Sequence, residues 1–330
     1  MLRCFSLFYC LLFIHFFADC ETAANKKILI TGVVKNGENG FFNSKLCIES
    51  LVKHFEDYRI IIYENNSTDK TKKLYSEWAK SNNKLIYISE DLTPEFLKNY
   101  TPLVGEYRCE FIARARNIVL KKALSNEFDD FDYILVPDLD FEVPWGINEI
   151  LNIIENPKKE WDMVAANGSY DIFALRLPNS RLFPETIGYN PTIRINDEIG
   201  NYLAMHLKQG KWLKVESAFG GLAIYKRSSL KNCFYRSKCP LDYFEKITTF
   251  NPGDDPIFKK DPKKFLPLII KNRMRFRQWE KSNFSDKAFP TNGYICEHVL
   301  LHFQMIRNGF DKLFIDPDLT MTTKEYKNYL

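Results

Sequence analysis

Asp138 and Asp140 stand two positions apart, directly after the apolar run Tyr133-Ile134-Leu135-Val136 and Pro137. At a strand end, side chains two positions apart point to one side, so the pair can share a divalent cation. Hard carboxylate oxygens favour Mg2+ or Mn2+, and such a cation offsets the charge of a diphosphate. The same three residues also fit a solvated loop, or the N-cap of a helix opening near Trp145. A second cluster spans Glu64 to Thr71. Ser67, Thr68 and Asp69 are good N-cap residues, and capping accounts for all three. It does not account for Glu64, Asn65 and Asn66 just before them, where donors and acceptors at a sheet edge could hydrogen-bond a nucleoside base or ribose.

The elements that must position these groups follow an α/β pattern. Short β-rich runs at 28–34, 59–63, 85–88 and 132–136 alternate with helical stretches at about 43–55, 70–80, 108–124 and 145–155. This is the grammar of βαβ units, and it predicts parallel strands with ligands beyond their carboxyl ends, where both clusters fall. Beyond Pro157 the pattern is less regular, with strand candidates at 162–166, 212–217 and 221–225. The chain has no internal repeat and no linker long enough to separate domains.

At 330 residues and 45% apolar, the chain can bury a core without relying on disulfides. A net charge of +4 from mixed charges is too small a footprint for a nucleic-acid partner, and none is expected. Phe5 to Ala18 is almost wholly apolar, follows Arg3 and precedes Asp19 and Glu21. It is short for a span of ~20 apolar residues, so residues 1–21 are expected to be a secretory leader, either a cleaved signal peptide or a short signal anchor. The positive-inside tendency places the rest outside the cytosol, in the ER or Golgi lumen of a eukaryote; a bacterial chain would be membrane-associated or exported. Five cysteines lie beyond the leader; Cys233 and Cys239 could bridge, Cys47 sits on an apolar helical face, and Cys109 and Cys296 complete the set. Sequons begin at Asn65, Asn66, Asn99, Asn167 and Asn283; the first two fall in the second cluster and are expected to be bare.

The order strand, Glu64-Asn65-Asn66-Ser67-Thr68-Asp69, then Asp138-Leu139-Asp140 after a fourth strand resembles the GT-A glycosyltransferases. The resemblance covers most of residues 26 to 315. It implies a nucleotide-diphospho-sugar transferase fold at 26–320, with a mostly parallel central sheet flanked by helices, a donor-binding half at 26–156 and an acceptor-side half at 157–320. Relatives similar to family 2 commonly carry Asp-Asp-Gly-Ser-Thr-Asp in the first turn, and its acidic pair contacts the nucleoside. Here Glu64 and Asn65 occupy those positions, Asn66 replaces the glycine, and Asp69 closes the motif. An amide both donates and accepts, so Asn65 suits uracil or guanine.

Further segments agree in order along the chain. Ala113-Arg114-Ala115-Arg116-Asn117 resembles the helix start that faces the donor diphosphate, which implies donor contacts from Arg114, Arg116 and Asn117. Gly220-Gly221 resembles the turn that leaves room for a sugar beside the backbone. Glu297-His298, continuing to Asn308-Gly309-Phe310, resembles the Glu-Asp segment that opens the acceptor-side helix, with His298 in place of the aspartate. In inverting relatives that aspartate is the general base, so Glu297 and His298 are the catalytic candidates. The resemblance also offers a histidine as a metal ligand beside Asp138 and Asp140, either His302 or His298, which share one helical face.

Tyr170-Asp171-Ile172-Phe173-Ala174-Leu175-Arg176 is similar to a segment of the fungal capsule-type α-1,3-mannosyltransferases. That likeness implies GDP-mannose and retention, whereas the segment at Glu297 leans toward inversion, so the stereochemistry stays open. Asp171, Arg176, Glu216, Asp254 and Asp255 are acceptor-side candidates. The expected activity is Mn2+- or Mg2+-dependent transfer of a sugar from GDP-mannose or a UDP-sugar to a hydroxyl on a glycan, glycoprotein or glycolipid. Membrane association is expected only through the N-terminal segment. Two rivals remain: a secreted carbohydrate-binding protein without catalysis, and a nucleotidyltransferase, although residues 31–40 carry glycines without the basic cluster of a phosphate loop.

Overall fold

A computed structural model describes residues 23–99, 106–168, 172–178, 180, 205–206, 208–240 and 295–321, with isolated positions between 242 and 281. The expected leader at 1–21 lies outside the described residues. Eight strands are described: β1 (Lys27–Val34), β2 (Asp57–Asn65), β3 (Leu85–Glu90), β4 (Tyr133–Pro137), β5 (Met163–Gly168), β6 (Leu213–Lys214), β7 (Leu222–Lys226) and β8 (Leu313–Met321). They form one sheet in the order β3-β2-β1-β4-β7-β5-β8-β6. The described helices are α1 (Phe41–Leu51), α2 (Thr71–Ser81), α3 (Pro94–Lys98), α4 (Glu106–Ala123), α5 (Ile147–Glu155) and α6 (Glu297–Arg307).

The fold is α/β, with helices on both faces of a central sheet. Period-two alternation along each strand decides which side chain joins which layer. Ile28 and Ile30 of β1, Ile60 and Ile62 of β2, and Leu135 of β4 pack with Ile48 and Leu51 of α1, Trp78 of α2 and Ile150 of α5. Leu29, Ile61 and Ile134 face the other way, into the layer built by Val119 and Leu120 of α4 and Leu300 and Leu301 of α6. Strands buried on both faces read as unbroken apolar runs, which is why these are visible in the sequence.

The expected parallel pairing holds among β1, β2, β3 and β4. Beyond them the sheet is mixed: β7 runs antiparallel to both β4 and β5, β6 is antiparallel to β8, and β5 pairs parallel with β8. The 212–217 run supplies only the two residues of β6, and Ser217 makes an isolated bridge to Arg176 instead. β8 carries Pro317 in mid-strand and pairs across a register shift between Ala166 and Asn167 of β5, so a bulge accommodates the missing donor. No disulfide joins Cys233 and Cys239. Cys233 Sγ accepts from Asn308 Nδ2 at 3.5 Å and Cys239 Sγ lies 3.7 Å from its neighbour Pro240 O, so each thiol packs locally. Cys47 is buried against α5's approach, bonding Trp145 O at 3.9 Å. Among the described residues no helix is long and apolar enough to cross a membrane.

Candidate active site

A cavity of about 440 Å3 opens at the carboxyl ends of β1, β2 and β4. Val33 to Asn36, Asn65, and Asp138 with Asp140 all line it, as do Arg108 and Arg116 of α4 and Glu297 and His298 of α6. Leu139 turns the opposite way and is 1% exposed. It seats over Gly32, where a Cβ would lie 2.4 Å from Leu139 Cδ1. Gly40, before α1, likewise rests against the Asp140 backbone, 2.4 Å from its carbonyl carbon to a would-be Cβ. The close approach of two backbones therefore sets both aspartates on the cavity side of the sheet.

Asp138 is anchored through its N–H, which donates to Gly221 O at 2.8 Å. Asp140 is exposed to the cavity, yet the walls exclude much of its water; that desolvation, and then the charge of Asp138, hold its carboxyl above the ordinary value. A carboxylate disfavoured by burial and by a neighbouring carboxylate is a natural place for a cation, which favours its charged form. Among the described residues no three His, Cys, Asp or Glu side chains form a cation cage. Mg2+ and Mn2+ do not need one: they keep waters and complete their shell with substrate phosphates when one or two carboxylates hold them. The donor set fits such an ion.

Arg116 is 6% exposed and spans the site. Its Nη2 donates to Asp138 Oδ1 at 3.1 Å and its Nε to Glu297 Oε1 at 3.2 Å, while the guanidinium lies 4.9 Å from the Phe219 ring centroid. Burial opposes its charge, but Asp138 and Glu297 outweigh burial and raise its pKa above the ordinary value. Arg114 and Asn117 are on another face of α4 and do not line the cavity. Arg114 bonds Tyr63 OH at 2.7 Å and Glu90 Oε2 at 2.8 Å, and Asn117 clamps the Tyr235 backbone with two 2.7 Å bonds. Helical phase explains the split: residues two apart on a helix diverge by about 200°. The same phase argument reaches Arg108, which sequence reasoning missed although it stands eight residues before Arg116.

The second cluster divides in the same way. Asn65 lines the cavity, 4% exposed, with Nδ2 donating to Asn66 Oδ1 at 3.1 Å. Glu64 is wholly buried and accepts from the Ser67 N–H at 2.7 Å and the Ser89 hydroxyl at 2.6 Å. Asp69 accepts from the N–H groups of Thr71 at 2.9 Å and Glu38 at 3.1 Å, and these bonds hold its carboxyl low against the opposing effect of burial. Both carboxylates therefore brace the turn rather than face the cavity. Asn66 has φ 50°, the left-handed conformation that glycine adopts most freely and asparagine tolerates, and its amide Nδ2 donates to Leu92 O at 2.9 Å.

On α6, His298 is 1% exposed and stacks on Phe219 at 3.8 Å between centroids, with Tyr235 edge-on at 5.4 Å. Burial first, then Arg116 and His302, hold its pKa well below the ordinary value, so the ring is neutral. Among the described residues neither ring nitrogen has a hydrogen-bond partner. Glu297 Oε1 lies 3.8 Å from His298 Nε2. His302 is a correction to its expected metal role: Ser217 Oγ lies 2.8 Å from Nδ1 and Tyr225 OH 2.9 Å from Nε2, and the residue does not line the cavity. With both nitrogens engaged, no lone pair is left for a cation.

His302 should instead appear in the acid stability of the protein. Burial pushes its pKa down to about 3. As pH falls, the unfolded chain, with an ordinary value near ~6.5, protonates first, so stability present above that value drains away toward pH 3. From this residue alone the loss between pH 7 and pH 5 is on the order of 2 kcal/mol. Urea midpoints at the two pH values measure it, and His302→Asn should flatten the dependence; an equally steep dependence in the variant would assign the effect elsewhere.

Gly220 and Gly221 adopt φ 61 and 88. A Cβ on Gly220 would meet Ala166 O at 2.3 Å, and one on Gly168 would meet Gly220 O at 2.1 Å. The pair packs against the end of β5 and delivers Phe219 to the cavity wall, without lining the cavity itself. Arg176, 2% exposed, bonds the carbonyls of Phe173 at 2.9 Å and Leu175 at 2.8 Å and lies 3.3 Å from Tyr243 OH. Asp255, fully buried, accepts from Ser180 Oγ at 2.8 Å and the Phe258 N–H at 3.0 Å. Neither lines the cavity; burial commits both to packing. Glu216 pairs with Lys246 at 2.9 Å. Asp171 and Asp254 lie outside the described residues.

No family model and no curated protein matches the sequence. Among solved structures, S. aureus TarS 1-349 in complex with UDP is similar over 68% of this chain and 55% of that one, at 15% identity and TM-score 0.33. The mannosyltransferase PcManGT from Pyrobaculum calidifontis, in complex with GDP-Man and Mn2+, is similar over 81% and 73%, at 13% identity and TM-score 0.38. Glucosyl-3-phosphoglycerate synthase from Mycobacterium tuberculosis, with Mn2+, UDP and phosphoglyceric acid, is similar over 64% and 59%, at 16% identity and TM-score 0.34. The chain spans 32% to 55% of the TarS structures.

Proposed function

We propose that the protein is a GT-A type glycosyltransferase that moves a sugar from a nucleotide-sugar, GDP-mannose or a UDP-sugar, to a hydroxyl on a glycan, glycoprotein or glycolipid. The observation that carries this reading is the cavity at the strand ends on which Asn65, Asp138, Asp140, Glu297 and His298 converge. Asp138 and Asp140 would hold Mn2+ or Mg2+, which supplies charge neutralisation to the departing diphosphate. Asn65 and the loop from Val33 to Asn36 wall the nucleoside end, as expected for ligands beyond the carboxyl ends of parallel strands. Glu297 and His298 are the candidates to receive the acceptor hydroxyl's proton: the His298 ring nitrogens are uncommitted among the described residues, but burial lowers their basicity, and the Glu297 carboxylate stands 3.8 Å away. Residues 1–21 would bring the enzyme into the secretory pathway as a cleaved signal or a type II anchor.

A ligand that binds only the folded state raises its melting temperature. The full-length protein should be stabilised by UDP, GDP or one of their sugars only when Mn2+ is present, and should hydrolyse that same donor slowly. If no nucleotide shifts the melting temperature with or without metal, the transferase reading fails.

A further inference from the structure

Two guanidiniums reach the cavity from one face of α4, Arg108 and Arg116, and their situations are opposite. Arg116 is buried, and its Nε and Nη2 are committed to Glu297 and Asp138. Turning it toward a phosphate would leave Glu297, 5% exposed, as a buried charge without its cation, which is strongly unfavourable. Arg108 is exposed, and among the described residues no hydrogen bond or ion pair holds it; its charge is felt at Asp140. It also stands in the first turn of α4, where the helix dipole adds positive potential. Charge accounting points the same way. Asp138, Asp140 and Glu297 against Arg116 leave an excess that one divalent cation cancels. Attraction for a diphosphate must then come from other cations, and among the described residues Arg108 and Lys35 are those that line the cavity.

Resting on the transferase reading, we propose that Arg108 grips the diphosphate of the nucleotide donor, and that Arg116 is a positioning residue tying Asp138 to Glu297. A guanidinium fork suits phosphate oxygens, and Arg108 can turn to them without breaking any internal bond.

The test is titration of UDP and GDP, each with Mn2+, into the full-length protein and its Arg108→Ala and Arg108→Lys variants. Whichever diphosphate the wild type binds should bind Arg108→Ala about tenfold more weakly or worse. The dependence of affinity on salt should flatten, Arg108→Lys should recover part of the loss, and the ligand-free melting temperature should stay unchanged. Equal affinity in Arg108→Ala, or a loss matched by a lower ligand-free melting temperature, overturns the proposal and leaves the transferase reading standing. A wild type that binds neither diphosphate overturns both.

Discussion

On the proposed transferase reading, Asp140→Ala is expected to lower Mn2+-dependent donor hydrolysis by about 10^3-fold or more, because a cation neutralising the leaving diphosphate would lose one of the two carboxylates proposed to hold it. The fold should not suffer. Asp140 is exposed, its carboxyl is already disfavoured by desolvation and by the charge of Asp138, and only its backbone is packed, against Gly40. Removing a carboxylate raised above its ordinary value relieves repulsion, so the ligand-free melting temperature should hold or rise slightly. Metal-dependent hydrolysis and ligand-free unfolding, measured together, separate this outcome from simple damage. Asp140→Asn keeps the shape and removes the charge, and should behave like the alanine variant. Turnover within tenfold of wild type, still requiring Mn2+, would mean that the paired carboxylates do not hold the ion.

How far such a site is legible in a sequence depends on whether local pattern or tertiary packing decides it. β1, β2 and β4 are readable because both faces of each are buried, which leaves continuous apolar runs that end where ligands gather. Asp138 and Asp140 follow from the same fact: a strand end with Leu139 turned inward must present both neighbours outward. β8 is not readable, since Asp316, Pro317 and Asp318 break its pattern and only pairing with β5 across a bulge makes it a strand. Among side chains the failures have one cause. Glu64, Asp69, Arg114 and Arg176 are the right types to bind a donor or an acceptor, but each is engaged by a group brought from far along the chain: Ser89, Glu38, Glu90 and Tyr243 in turn. The run Arg114-Ala115-Arg116-Asn117 offers three polar residues, and the phase of α4 selects one of them for the cavity. Helical phase is itself a property of residue spacing, and counting about two turns back from Arg116 reaches Arg108.

Arg116→Met should be the most destabilising single substitution at the site, by about 3–5 kcal/mol, the usual result of stranding a buried charge. The two partners differ in how much of this they cause. The Asp138 side chain is 24% exposed and can recover water, whereas that of Glu297 is 7% exposed and cannot. The larger coupling should therefore lie between Arg116 and Glu297, and a double-mutant cycle in urea measures it. Glu297→Gln alone removes one charge and leaves Arg116 still held by Asp138, so it should cost less than Arg116→Met. The double variant should recover part of what Arg116→Met loses, since no carboxylate is then left buried opposite Met. If Arg116→Met is too unstable to purify, Arg116→Lys keeps the charge and tests geometry alone: a lysine cannot bridge Asp138 and Glu297 as a planar fork does. Additive single effects, with no recovery in the double variant, would show that the two carboxylates are held independently. The tie between the metal-side and acceptor-side halves of the cavity would then have to be sought in the backbone rather than in Arg116.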